Sequence, residues 1–186
     1  MFNLGLGFSH MKLWNAKIIK DNRVYFDIGL KVAEDALFCI AMSSYLNKVY
    51  FLNEMLYNYR FNSESVVRKF NNNYAKDYEL AMKKTEIYID TNGIHVDKKR
   101  FYNYVAYHIL LIVINYCFHP ENNNKGIKLL KQICKIPEFE NAIRYSDYEG
   151  FSLTRKVTLF TLKTKMYFLT GIIAKIRQRQ FRKTRS

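Results

Sequence analysis

Residues 23–60 read RVYFDIGLKVAEDALFCIAMSSYLNKVYFLNEMLYNYR, and this stretch sets the expected fold class. Its centre, 36–46, holds helix-forming residues behind the acidic pair Glu34 and Asp35, which the positive end of a helix dipole favours. Upstream, residues 23–30 read as a short strand followed by a glycine turn. Downstream, residues 48–60 begin with Val49, Tyr50, Phe51 and Leu52, a β-prone run bounded by Asn and Glu. Strand, helix and strand in that order predict an α/β segment over residues 1–68.

Beyond the connector Asn71-Asn72-Asn73 the pattern turns helical. Helices are predicted over 74–90, ending before Thr91-Asn92-Gly93, and over 97–118, closed by His119-Pro120. A third covers 125–135, a short turn follows at 137–145, and one long helix is expected over 153–182. The chain therefore reads as an α/β remnant followed by a mainly α-helical region, 69–186, and as mostly α overall. With 49% hydrophobic residues it can bury a core, and seven Gly and two Pro in 186 residues favour long regular elements.

Several classes are set aside at this level. Cys39, Cys117 and Cys134 are odd in number, far apart and set among apolar residues, which reads as buried free thiols in a reducing compartment with no zinc motif. The start, MFNLGLGFSH, has neither a basic region nor a long apolar run, so it is a poor signal peptide. The longest apolar stretch, 104–118, is interrupted by His108 and Asn115 and falls short of the ~20 residues a membrane span needs. A buried core helix is expected there, with His108 as a satisfied core histidine. The four histidines do not converge, and His10 and His95 read as loop residues.

Charge is distributed unevenly. Residues 151–186 hold ten of the basic residues and no acidic one, leaving +4 of the net +14 for the first 150. A polyanionic partner is thus implied for the tail alone. The tail interleaves Leu159, Phe160, Leu162, Met166, Phe168, Leu169, Ile172, Ile173 and Ile176 with its cations, a composition that suits a helix lying in a membrane interface. The alternatives are a helix packed on the protein with a solvated basic face, or a phosphate-binding tail. No nucleic-acid-binding motif accompanies the charge, so nucleic acid is not the preferred partner.

Four pieces of residues 14–65 carry a family resemblance. They are Trp14-Asn15-Ala16-Lys17-Ile18-Ile19-Lys20, Phe26-Asp27-Ile28-Gly29-Leu30, Glu34-Asp35-Ala36-Leu37-Phe38, and Leu56-Tyr57-Asn58-Tyr59-Arg60 with Ser63 and Ser65 after it. In this order and spacing the segment resembles the second half of the catalytic domain of bacterial family-2 glycosyltransferases, the GT-A type that builds cell-surface polysaccharides. The resemblance covers about a third of the chain and implies a truncated or split transferase. Residues 1–68 would be the acceptor-side part of a GT-A domain, without its amino-terminal nucleotide-sugar-binding half.

The resemblance implies a role for each residue. Asp35 would be the base that takes the proton of an acceptor hydroxyl during inverting transfer. Glu34 and Trp14 would contact the acceptor, and Tyr59 and Arg60 the donor diphosphate, for which a planar cation is suited. Simpler readings stand beside these: a helix N-cap for Glu34-Asp35, a core aromatic for Trp14, and edge packing with a surface ion pair for Tyr59-Arg60. A helix N-terminus weakens a carboxylate as a base, whereas the adjacent charge of Glu34 strengthens it. No Asp-x-Asp pair occurs, and Asp147-Tyr148-Glu149 reads as loop. No cofactor is therefore expected in this chain, and a divalent Mg or Mn only with the donor half. The expected partners are a nucleotide-sugar and a glycan or lipid-linked acceptor. The expected place is the cytoplasm, peripheral at the inner face of the cell membrane, with 151–186 against the bilayer and activity absent from the chain alone.

Overall fold

The computed structural model describes residues 9–58, 70–122 and 124–183, with side chains described to residue 180. Among these residues it is all-helical. The elements are α1 (Ala16–Asp21), α2 (Glu34–Ser43), α3 (Tyr74–Thr91), α4 (Lys98–Ile112), α5 (Gly126–Ile133), α6 (Pro137–Tyr145), α7 (Leu153–Lys163) and α8 (Tyr167–Lys183). A π-helical turn, Val113–Cys117, prolongs α4, and a 3-10 turn, Pro120–Asn122, follows it.

The expected α/β remnant is overturned: the described residues contain no strand, and neither 23–30 nor 48–58 joins a sheet. The reason lies in what a strand requires. A helix closes its hydrogen bonds locally, whereas a strand must find them on a neighbour, and a lone extended segment stays open to water. Residues 23–30 instead fold into turns. Arg23 is left-handed at φ 50°, Val24 N–H donates to Ile19 O, and the Asp27 side chain accepts from Gly29 N–H at 2.8 Å. Residues 48–58 form no helix or strand, with Val49, Tyr50, Phe51, Leu52, Met55 and Leu56 all exposed, Met55 fully.

The helical expectations fared differently. α4 begins at a capping side chain, Asp97 accepting from Lys99 N–H at 2.9 Å, Pro137 occupies the first turn of α6, and α3 starts at Tyr74 with no side-chain cap. The long tail helix is two helices. Lys165 adopts φ 58°, and Lys165 and Met166 N–H close onto Leu162 and Thr161 carbonyls at 3.0 and 2.8 Å, the hydrogen-bonded end of a left-handed cap. α8 then folds back on α7, and the Thr161 and Thr170 hydroxyls meet at 2.9 Å in the buried contact.

α4 is the spine of the core, packed by α6, α3 and α7. Val105, Ala106, Ile109, Ile112 and Val113 are fully enclosed, with Met82 of α3, Phe139 of α6 and Leu159 of α7 around them. α8 locks the end of α4. Gln178 Nε2 donates to the carbonyls of Ile114 and Phe118 at 2.7 and 2.8 Å, groups that the irregular turn leaves without a regular helical partner. The Phe118 ring lies against Gly126 of α5 and Gly171 of α8, the two positions whose lack of Cβ admits it.

α2 is enclosed on every side, with residues 36–42 all buried. Ala36, Leu37 and Ile40 join the main core, which also takes in residues of α3 to α8. Phe38, Cys39, Ala41 and Met42 instead form a smaller cluster with Val24, Trp14, Ile18 and Ile19. The Asp27 turn is tied to α3 by Lys84 at 2.6 Å. The amino-terminal end of α2 thereby sits at the edge of both clusters.

Candidate functional site

The site begins with backbone geometry. Ala33, which precedes α2, is held at φ 56° with no side-chain cap; a residue with a Cβ in this region costs about 1–3 kcal/mol and persists only where its surroundings impose it. Leu37 N–H reaches Ala33 O at 3.2 Å, so the turn opens the helix directly. Glu34 and Asp35 then occupy its first turn.

Asp35 is half-buried. Its carboxylate accepts from Ala36 N–H at 2.8 Å and from the backbone N–H of Ser9. Burial, then the charge of Glu34, raises its pKa above the ordinary carboxylate range, against the pull of those two N–H donors and of His10. Tyr104 of α4 lies beneath, its phenol pushed far up by burial and then by the charge of Asp35. The balance left open by the sequence is thus settled by burial: this carboxyl holds a proton more tightly than a solvated aspartate.

Trp14 reaches the same point. Its indole N–H donates to Ser9 O at 3.4 Å, so Ser9 bridges Trp14 and Asp35 through its carbonyl and its N–H. The Trp14 ring stands edge-on to Phe38 at 5.5 Å, and Phe26 stacks on Phe38 at 4.4 Å. Trp14 remains half-buried, so it packs on the small cluster while keeping part of its face open. His10 adds a ring near Asp35 and stacks with Tyr57 at 5.2 Å.

Of the residues singled out by sequence, Glu34, Asp35 and Trp14 come together, while Tyr59 and Arg60 lie outside the described residues, as do Ser63 and Ser65. Ser9, His10 and Tyr57 were missed as site residues. Periodicity carries no signal for the first two, which lie in an irregular segment. Tyr57 stood inside a quoted motif without a role.

Two further polar groups are structural. His108 is the expected core histidine: Nδ1 meets Tyr104 O at 2.9 Å, and burial lowers its pKa to about 4. Asp147 accepts from Asn103 Nδ2 at 2.6 Å and from Glu149 N–H at 2.9 Å, which keeps its pKa low and pins the loop after α6. Among the described residues no group of three His, Cys, Asp or Glu could hold a metal ion. No helix of the described residues is long and apolar enough to cross a membrane. No family model, characterised protein or solved structure matches the chain.

Proposed function

We propose that residues 1–68 supply the acceptor side of a sugar-transfer site of the family-2 glycosyltransferase kind. A separate donor-binding half would hold the nucleotide-sugar. The reading rests on one observation above the rest: a half-buried carboxylate, Asp35, at the first turn of α2, joined through Ser9 to a partly open indole. In the reaction, the oxygen of an acceptor hydroxyl forms the new bond to the anomeric carbon from the face opposite the leaving group. The bond from that carbon to the diphosphate breaks with its electron pair going to the diphosphate, and Asp35 takes the hydroxyl proton. The raised proton affinity of Asp35 suits that role. Trp14, through its partly open aromatic face, and Glu34 contact the acceptor, while burial and then the charge of Glu34 raise the proton affinity of Asp35.

The exposed apolar run 49–56 supports the second half of the proposal. Contiguous large apolar residues in water mark a surface that another protein part covers, and Tyr50 and Phe51 are more than four-fifths exposed. The donor-binding half is the occupant that completes a transferase. The acceptor class we propose is a glycan or lipid-linked sugar in cell-surface polysaccharide synthesis.

The test uses UDP- and GDP-sugars with the chain alone and with the chain joined to the segment encoded upstream of it. No turnover is expected from the chain alone. The joined protein is expected to transfer, and Asp35→Asn to lower its rate at least about 100-fold with an unchanged circular dichroism spectrum. Turnover by the chain alone overturns the need for a second half. An inert joined protein overturns the transferase reading, and an active Asp35→Asn variant overturns the base. A second reading, a non-catalytic helical protein that binds acidic membrane surfaces, is favoured by the lack of strands among the described residues; under it the joined protein is inert whatever stands at position 35.

A further inference from the structure

α5 and α8 pack side by side, and each leaves a face in water that mixes apolar and cationic residues. On α8 the buried side is Thr170, Gly171 and Ala174, and the open side carries Phe168, Leu169, Ile172 and Ile176 together with Lys175 and Arg179. Phe168, Ile172, Lys175 and Arg179 recur at helical spacing, so they share one stripe. Phe168 is 69% exposed, an expensive place for a phenylalanine in water alone.

α5 extends the surface. Ile127, Lys128, Lys131, Gln132 and Lys135 line an open groove along it, and Lys131 Nζ sits 6.0 Å from the Tyr167 ring at the start of α8. Neither α5 nor the whole of residues 151–186 contains an acid. Glu140 of α6, whose charge reaches Tyr167, is paired with Arg144 at 3.1 Å. Among the described residues cations are therefore concentrated on this side, and Glu140, the acid whose charge reaches it, is already paired with Arg144.

We infer that the α5–α8 surface docks on an anionic lipid bilayer. The apolar side chains of α8 would enter the acyl boundary, and Lys128, Lys131, Lys175 and Arg179 would lie at headgroup level. Charge complementarity names the occupant, and the apolar stripe separates a bilayer from other polyanions. A nucleic acid offers phosphates but nothing into which Phe168 and Ile172 could be buried; a lipid surface offers both. The inference does not rest on Asp35 and holds under either reading of function.

The experiment is co-sedimentation of the full chain with vesicles of phosphatidylcholine alone and of phosphatidylcholine with one-third phosphatidylserine, in low and high salt. Binding is expected to the anionic vesicles only and to weaken with salt. Each cation at such a surface multiplies affinity about fivefold, so Lys175→Gln with Arg179→Gln should weaken binding about 30-fold. Phe168→Ser with Ile172→Ser should weaken it about tenfold or more. All four positions are exposed, and circular dichroism checks that each variant folds. Failure to bind anionic vesicles overturns the inference. So does undiminished binding by the Phe168/Ile172 variant, or tighter binding to an RNA oligonucleotide that this variant retains.

Discussion

Acid should weaken this fold through one residue, and the effect can be sized. His108 is buried, with Tyr78, Tyr104 and Tyr107 around its ring at 4.5–5.5 Å, and its pKa falls from 6.5 to about 4. The unfolded chain protonates this ring at its ordinary pKa, while the folded protein resists until about pH 4. Stability from His108 is therefore present above the unfolded value and lost as pH falls through the window between the two. Between pH 7 and pH 5 the loss integrates to about 2 kcal/mol, a large fraction of a total of about 5–15 kcal/mol. With a urea slope of about 2 kcal/mol/M, the unfolding midpoint should drop by about 1 M. Urea titrations followed by circular dichroism at the two pH values measure this directly. His108→Leu conserves volume and should change stability at pH 7 by less than about 1.5 kcal/mol, yet it should remove most of the pH dependence. Asp27 and Asp147, whose pKa values are lowered by the Lys84 and Asn103 hydrogen bonds, lose their contribution only at lower pH, below the ordinary carboxylate value. If His108→Leu keeps the full midpoint shift between pH 7 and pH 5, the assignment to His108 is wrong.

Three other outcomes follow from packing and burial. Gln178→Leu removes the amide that serves the Ile114 and Phe118 carbonyls and should cost about 1–3 kcal/mol in thermal or urea unfolding; no loss would mean that water serves them equally well. Gly171→Ala would place a Cβ 2.8 Å from Phe118 Cε1 and should cost about 1–3 kcal/mol, and a Phe118→Leu background should relieve part of that cost in a double-mutant cycle. Burial raises the pKa of Cys39 to about 11 and of Cys134 to about 12, and pushes that of Cys117 higher still. An aromatic disulfide reagent at pH 8 should therefore react slowly with buried Cys39 and Cys117 and with half-buried Cys134 in the native protein, and with all three once it is denatured; rapid native labelling of Cys39 or Cys117 would refute their burial.

What the sequence alone determined is what helices determine locally. Asp97 before α4, Pro137 at the start of α6 and Asn92-Gly93 after α3 act within one turn of where they stand, so those boundaries were legible, as was the acidic first turn of α2. Free thiols and a satisfied His108 were legible too, because an isolated polar residue in an apolar helix has few other fates. The strands were not, because pairing is non-local: Val49 to Leu52 has the composition of a strand, yet no described segment pairs with it as a strand. The tail break at Lys165 was equally hidden, since α7 and α8 each have helical composition and the hairpin is set by the buried Thr161–Thr170 contact across it and by Gly171 packing on Phe118, distant in sequence. At the candidate site the sequence named Trp14, Glu34 and Asp35, but only tertiary structure brought Ser9 and His10 to them. It also decided the sign of the Asp35 shift, because desolvation depends on what covers a carboxyl and not on the residues beside it.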